Sequence, residues 1–229
     1  MGCRRTHDVR RIWLRGAAGF RDGCLSGRLG ELLLRVLLFS GGIDSSALAY
    51  WLRPDVCLTV DYGHRPASGE VAAAASICSE LGLRHEVIFV DLRHLGSGSL
   101  AGTPVSGLAR AEEWWPYRNQ MLITLAGMRF LSEGLREIVI GAVSTDVHSD
   151  GRSPFLRGIS RLMSLQEGQV AVLAPARRLS PERLLDVSEF PADLLGLTFS
   201  CHTMEFPCGT CRGCIKHAEL SNYMRRGAR

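Results

Sequence analysis

The sequence predicts an α/β protein built on a doubly wound parallel sheet with helices on both faces. Three observations predict it: runs of strand length that are apolar throughout, helix-period segments alternating with them, and a Ser/Gly turn directly after the first apolar run. A strand that is apolar at every position leaves no face for water, so its sheet must be covered on both sides.

The elements follow in order from residue 33. LLRVLLF (33–39) is the first strand, and ALAYWL (47–52) lies on the helix after it. VCLTVDY (56–62) is the second strand. SGEVAAAASICSELG (68–82) is a helix ended by Gly82, because glycine accepts the left-handed backbone that closes a helix. HEVIFVDL (85–92) is the third strand. After a Gly/Ser-rich loop, RNQMLITLAGMRFLSEG (118–134) carries apolar residues at three- and four-residue intervals. The strand EIVIGAV (137–143), the helix PFLRGISRLMSLQEG (154–168) and the strand VAVLAP (170–175) complete the alternation. Residues 1–30 are Arg- and Gly-rich without a sustained period and are expected to be a poorly ordered extension. Residues 31–195 make the α/β domain, and residues 196–229 a small C-terminal cysteine segment with a helix.

Composition narrows the function classes. A chain of 229 residues suits one well-buried domain with a small appendage. Its net charge of +4 is concentrated at one end: residues 1–35 hold eight Arg against three acidic residues, so the rest is near −1. A nearly neutral body argues against a nucleic-acid partner on charge grounds. The most apolar run, LLLRVLLF, is interrupted by Arg35 and is a buried strand rather than a membrane span. No signal peptide is evident, which predicts a cytoplasmic protein. Lys216 is the single lysine, so any chemistry that needs one must use it.

The chemistry concentrates in two places. SGGIDSS (40–46) ends the first strand, where open α/β sheets bind ligands. Gly41 and Gly42 let the backbone approach a ligand closely, and amides opening the next helix attract anions. Ser40, Ser45 and Ser46 add hydroxyls, so the loop is a phosphate cradle that carries no lysine of its own. Asp44 is either a Mg²⁺ ligand beside the phosphates or an acceptor that orders the loop. The second place is Cys201, Cys208, Cys211 and Cys214, spaced C-x6-C-x2-C-x2-C. Four thiolates with no open position suit structural Zn²⁺, with an iron–sulfur cluster as the chemical rival. Cys3, Cys24, Cys57 and Cys78 are scattered and are expected to be small apolar residues.

SGGIDSS resembles the SGGxDS motif of the PP-loop ATP pyrophosphatases. VDYGHR (60–65), WPYRNQ (115–120) and SCHTMEFPCGTCRGC (200–214) resemble, in order and spacing, the DYGQR, PxRN and C-terminal zinc segments of the QueC-type 7-cyano-7-deazaguanine synthases. That resemblance covers residues 36–220. It implies a PP-loop fold, ATP with Mg²⁺, structural Zn²⁺, and conversion of a 7-deazaguanine carboxylate to amide and then nitrile with ammonia. It implies catalytic roles for Ser40, Asp44, Ser45 and Arg118. ATP would be bound by residues 40–46 (Ile43 among them), Asp61 and Gly141. Substrate contacts would come from Tyr62, His64, Arg65, Tyr117, Arg118, Asn119, Asp146, His148 and Asp150. A homodimer is left open.

Two departures bear on the substrate. His64 replaces the family's usual Gln, and HSDG (148–151) stands where ordinary queuosine-pathway synthases carry a GYPDCR-like sequence. HSDG-type members resemble QueC-like paralogues found beside anti-phage defence genes, which implies an alternative acceptor: an amine on a protein or nucleotide. A tRNA-thiolating PP-loop enzyme and a nucleotide-binding subunit without catalysis are the remaining alternatives.

Overall fold

The computed structural model describes residues 33–227; the expected extension at 1–30 lies outside them. Five parallel strands form one sheet in the order β3-β2-β1-β4-β5. They are β1 (Leu34–Leu38), β2 (Val56–Asp61), β3 (Arg84–Phe89), β4 (Leu135–Val139) and β5 (Ala171–Leu173). The helices are α1 (Ile43–Leu52), α2 (Ala67–Leu81), α3 (Arg118–Phe130), α4 (Ser153–Ser164), α5 (Pro181–Ser188) and α6 (Arg212–Gly227).

The apolar strands divide their side chains between two cores, as the two-residue period of a strand requires. Val36 and Leu38 of β1 join α3 and α4 through Ile123, Phe130, Leu156 and Ile159. Leu37, between them, points the other way and joins α1, α2 and α5 through Leu48, Ile77 and Leu184. The doubly wound prediction therefore holds, and the central strand is apolar because both of its faces are interior.

Strand order sets where the site forms. The chain leaves β1 toward β2 and β3, then returns along the opposite face through α3 to place β4 on the other side of β1. The connections after β1 and β4 diverge and open a crevice at the carboxyl ends of these strands. The long connection over residues 90–117 closes one side of it and buries Leu100 and Trp115 against Tyr62.

Boundaries differ where tertiary contacts decide them. Helix α1 starts inside the Ser/Gly loop, at Ile43, rather than near Ala47. Gly82 closes α2 in the left-handed conformation, φ 61°, as expected. Strand β4 begins at Leu135, because Leu135 pairs with Leu34 before the register shifts. Helix α5 has a local signal: Ser180 caps it by accepting from the Arg183 amide at 3.2 Å, and Pro181 begins it.

Gly41 has φ +70°, and a Cβ there would lie 2.6 Å from the Ala74 amide nitrogen of α2. Gly41→Ala should therefore lower stability by about 1–3 kcal/mol, read as an earlier urea midpoint; an unchanged midpoint would show that α2 does not press on the loop.

Candidate functional site

The Ser/Gly loop is organised by its own hydroxyls. Ser45 Oγ donates to the Gly42 carbonyl at 3.0 Å and lies 3.5 Å from Ser40 Oγ, which accepts from the Gly42 amide at 3.4 Å. Gly42 is the N-cap of α1 and offers no side-chain acceptor, so the first-turn amides stay free for an outside anion. Ser46 Oγ is buried without a hydrogen-bond partner. Gly141, after β4, sits against α1, where a Cβ would lie 3.9 Å from Ser45.

Two cavities meet at this loop, sharing Ser40, Glu70, Arg118 and His202 in their walls. One, of about 260 Å³, lies over the strand ends and is lined by Leu38, Phe39, Val60, Tyr62, Asn119 and Gly141 among others. The other, of about 230 Å³, holds the charged groups Glu113, Asp146, His148, Arg212 and Lys216. Arg118 stands between them. Burial works against its charge, but Tyr62, Asp150 and Glu70 outweigh this and hold the guanidinium firmly protonated.

The remaining expected residues fall in distinct places. Tyr62 lines the strand-end cavity, and burial raises its phenol pKa. His64 is 3% exposed, stacked on Tyr62 at 3.9 Å, and reaches Glu70 Oε2 at 3.0 Å, so it meets the cavities through its neighbours. Asp61 accepts from the Gly63 amide at 2.8 Å and faces a shallow outer pocket beside Arg93. Arg65 is exposed and lines neither cavity. Tyr117 is 78% exposed with a left-handed backbone, φ 54°, and opens onto a third, outer cavity of about 410 Å³ with Asp150 and His148. Asp150 also anchors the start of α3: its Oδ2 accepts from the Asn119 amide, and its carbonyl from the Asn119 side chain, both at 3.3 Å. Asp146 Oδ2 accepts from the Val143 amide at 3.0 Å, and burial pushes its carboxyl pKa up.

Sequence reasoning did not place Glu70, Glu113, His202, Arg212 or Lys216 at the site. Glu113 in AEEWW carries no local signal; its role comes from Arg212, whose guanidinium donates to it at 2.8 Å, and from His148 at 3.7 Å. Lys216 did carry one, as the single lysine, and it pairs with Asp44 Oδ2 at 2.5 Å. Neither reading of Asp44 anticipated that partner.

The four cysteines converge. Their sulfur atoms all lie within 4.8 Å of one another, with Cys208–Cys214 and Cys211–Cys201 at 3.9 Å. A tetrahedral ion with bonds of about 2.3 Å to sulfur requires edges of about 3.8 Å. Four thiolates this close repel one another, and burial pushes the Cys214 thiol up to about 12; a divalent cation between them offsets both effects. The cluster could thus hold a metal such as zinc. Amides of His202, Cys211 and Cys214 donate to cluster sulfurs at 3.3–3.4 Å. Cys57 and Cys78 are buried in the core, as expected of small apolar residues. Among the described residues no helix is long and apolar enough to cross a membrane.

A family model described as "Queuosine biosynthesis protein QueC" matches residues 35–223. The chain is 28% identical to 7-cyano-7-deazaguanine synthase 1 of Desulfitobacterium hafniense (strain Y51), over 79% of this chain and 88% of that protein. It is 31% identical to the 7-cyano-7-deazaguanine synthase of Anaeromyxobacter sp. (strain Fw109-5), over 79% and 88%. For the enzyme of that name from Desulforudis audaxviator (strain MP104C) the identity is 30%, over 78% and 92%.

The Glu113 carboxyl ties the 90–117 connection to α6. Burial pushes it up, but His148, a backbone amide, His202 and Arg212 together hold it at about 2. A depressed carboxylate contributes stability that is present above its ordinary value of 4.5 and lost as pH falls through about 2. Glu113→Gln should cost about 1–3 kcal/mol at neutral pH and remove that part of the acid loss. Equal slopes for both proteins in stability against pH between 4.5 and 2 would contradict the assignment.

Proposed function

Because the chain belongs to the QueC family of PP-loop proteins, we propose that it is an ATP-dependent ligase that adenylates 7-carboxy-7-deazaguanine and passes the acyl group to ammonia. The observation that carries this reading is the Ser40–Ser46 loop, with free first-turn amides, opening onto two joined cavities that Arg118 spans. The strand-end cavity has the apolar walls and backbone edges that suit a purine, and the charged cavity beside the loop suits phosphate and carboxylate groups.

The chemistry runs in two activations. A substrate carboxylate oxygen attacks the α-phosphorus of ATP, the bond to the bridging oxygen breaks, and pyrophosphate leaves. Ammonia attacks the acyl carbon, AMP departs, and an amide and a proton result. A second ATP activates the amide oxygen in the same way, and loss of AMP with the remaining N–H protons leaves the nitrile. Ser40, Ser45 and the loop amides hold the phosphates. Arg118, a bidentate donor, stabilises the charge that grows at the α-phosphate. Asp44 Oδ1 is buried without a protein partner and is the atom suited to face Mg²⁺, which neutralises phosphate charge when bound. Zn²⁺ suits the cysteine cluster as a structural ion.

One observation favours a second acceptor. His148 belongs to the walls of both the charged cavity and the outer 410 Å³ cavity beside Trp114 and Tyr117. An amine larger than ammonia, carried on a protein or nucleotide, has room to approach through that opening. The reaction would then stop at the amide linkage.

Incubation with ATP, ammonium and 7-carboxy-7-deazaguanine should yield AMP and pyrophosphate, and Arg118→Ala should slow that release by about a hundredfold. Silence with this carboxylate and with related ones would overturn the reading. AMP release without nitrile, accompanied by a mass gain on an added amine, would select the second acceptor. Elemental analysis should find one zinc per chain, lost in Cys208→Ser.

A further inference from the structure

We propose that Lys216 is the side-chain cation for the outer phosphates, positioned at the Ser/Gly loop by the cysteine cluster, so that full nucleotide affinity requires the cluster to be metal-loaded. This rests on the functional reading above and extends it to a residue and a coupling that the reading leaves out.

Lys216 lies far from the loop in sequence, yet its ammonium sits 2.5 Å from Asp44 Oδ2 and lines the charged cavity with Ser40, Gly42 and Ile43. Its side chain is 37% exposed, on the cavity side of the pair, against 19% for Asp44. An ammonium has three protons to donate, and one bond to Asp44 leaves two for an incoming oxyanion. The loop has need of it. Asp44 brings a negative charge to a place that would receive a triphosphate, and Asp146 lies close enough to feel both Asp44 and Lys216. Phosphate loops of the GxxxxGK[ST] type carry a lysine inside the loop itself; this loop has none, and the one lysine in the chain arrives from α6.

Its position depends on the cluster. Cys214 lies in the first turn of α6, two residues before Lys216, and the Ile215 amide donates to the Cys211 carbonyl at 3.0 Å. A metal held by Cys211 and Cys214 therefore fixes the start of α6 and the direction in which Lys216 extends. Residues 198–211, which precede α6, have no helix or strand that could do this instead.

The test is equilibrium binding of α,β-methylene-ATP, which cannot transfer its adenylyl group, to wild type, Lys216→Gln and Lys216→Arg, each zinc-loaded and zinc-stripped. Zinc-loaded Lys216→Gln should bind about tenfold to a hundredfold more weakly than wild type, with Lys216→Arg between them. AMP, which lacks the outer phosphates, should bind all three loaded proteins alike. Stripping zinc should weaken wild type to the level of Lys216→Gln and change that variant little. If loaded Lys216→Gln binds the analogue as wild type does, the assignment of Lys216 falls while the ligase reading stands. If stripping weakens wild type and Lys216→Gln by the same factor, the metal does not act through Lys216 and the coupling falls. Wild type that binds no nucleotide overturns the ligase reading, and the proposal with it.

Discussion

The hydrogen bond from the Phe199 amide to the Gly41 carbonyl, 2.9 Å long, joins the C-terminal segment to the Ser/Gly loop, and the candidate site depends on that joint. Gly41 takes φ +70° there, with α2 packed directly behind it. Beyond Phe199, the segment folds so tightly that a Cβ on Gly213 would sit 1.8 Å from the Ser200 carbonyl oxygen. So little regular structure cannot hold this shape by backbone bonding alone. The converging sulfurs of Cys201, Cys208, Cys211 and Cys214 supply the missing restraint once a metal joins them.

Electrostatics then determine what the crevice can accept. Its walls carry Glu70, Glu113 and Asp146, with Asp44 at the loop, and an anionic nucleotide could not enter against those charges alone. Three of the four have a cationic or histidine neighbour: Glu70 has His64, Glu113 has Arg212, and Asp44 has Lys216, while Asp146 accepts from the Val143 amide. Arg118 is left to face both cavities, supported by Tyr62, which is itself braced by stacked His64 and edge-on Trp115. Placed this way, His64 shapes the crevice from beneath, by fixing the Tyr62 ring and orienting Glu70.

The fold was largely legible because its signals are local. Apolar runs, glycine stops and helix periods each reflect a short stretch of chain meeting one environment, and β1 through β5 emerged from them with small errors at the ends. The Ser/Gly loop and the cysteine spacing were legible for the same reason, since each concentrates its chemistry within a few residues. Helix α5 had its Ser-Pro start signal but no apolar run long enough to stand out.

The sequence by itself determined the layered architecture, the Ser/Gly loop and the four-cysteine spacing, because periodicity and motif spacing act over a turn or two of chain. Tertiary structure alone decided that Glu113 meets Arg212, that Asp61 turns to an outer pocket, and that Lys216 closes on Asp44. Those pairings join segments about 100 to 170 residues apart or depend on how a loop lies over a strand end. Long-range contact of this kind is set by sheet order and by the bend at the four-cysteine cluster, and neither tells one residue of a pair which partner it will meet.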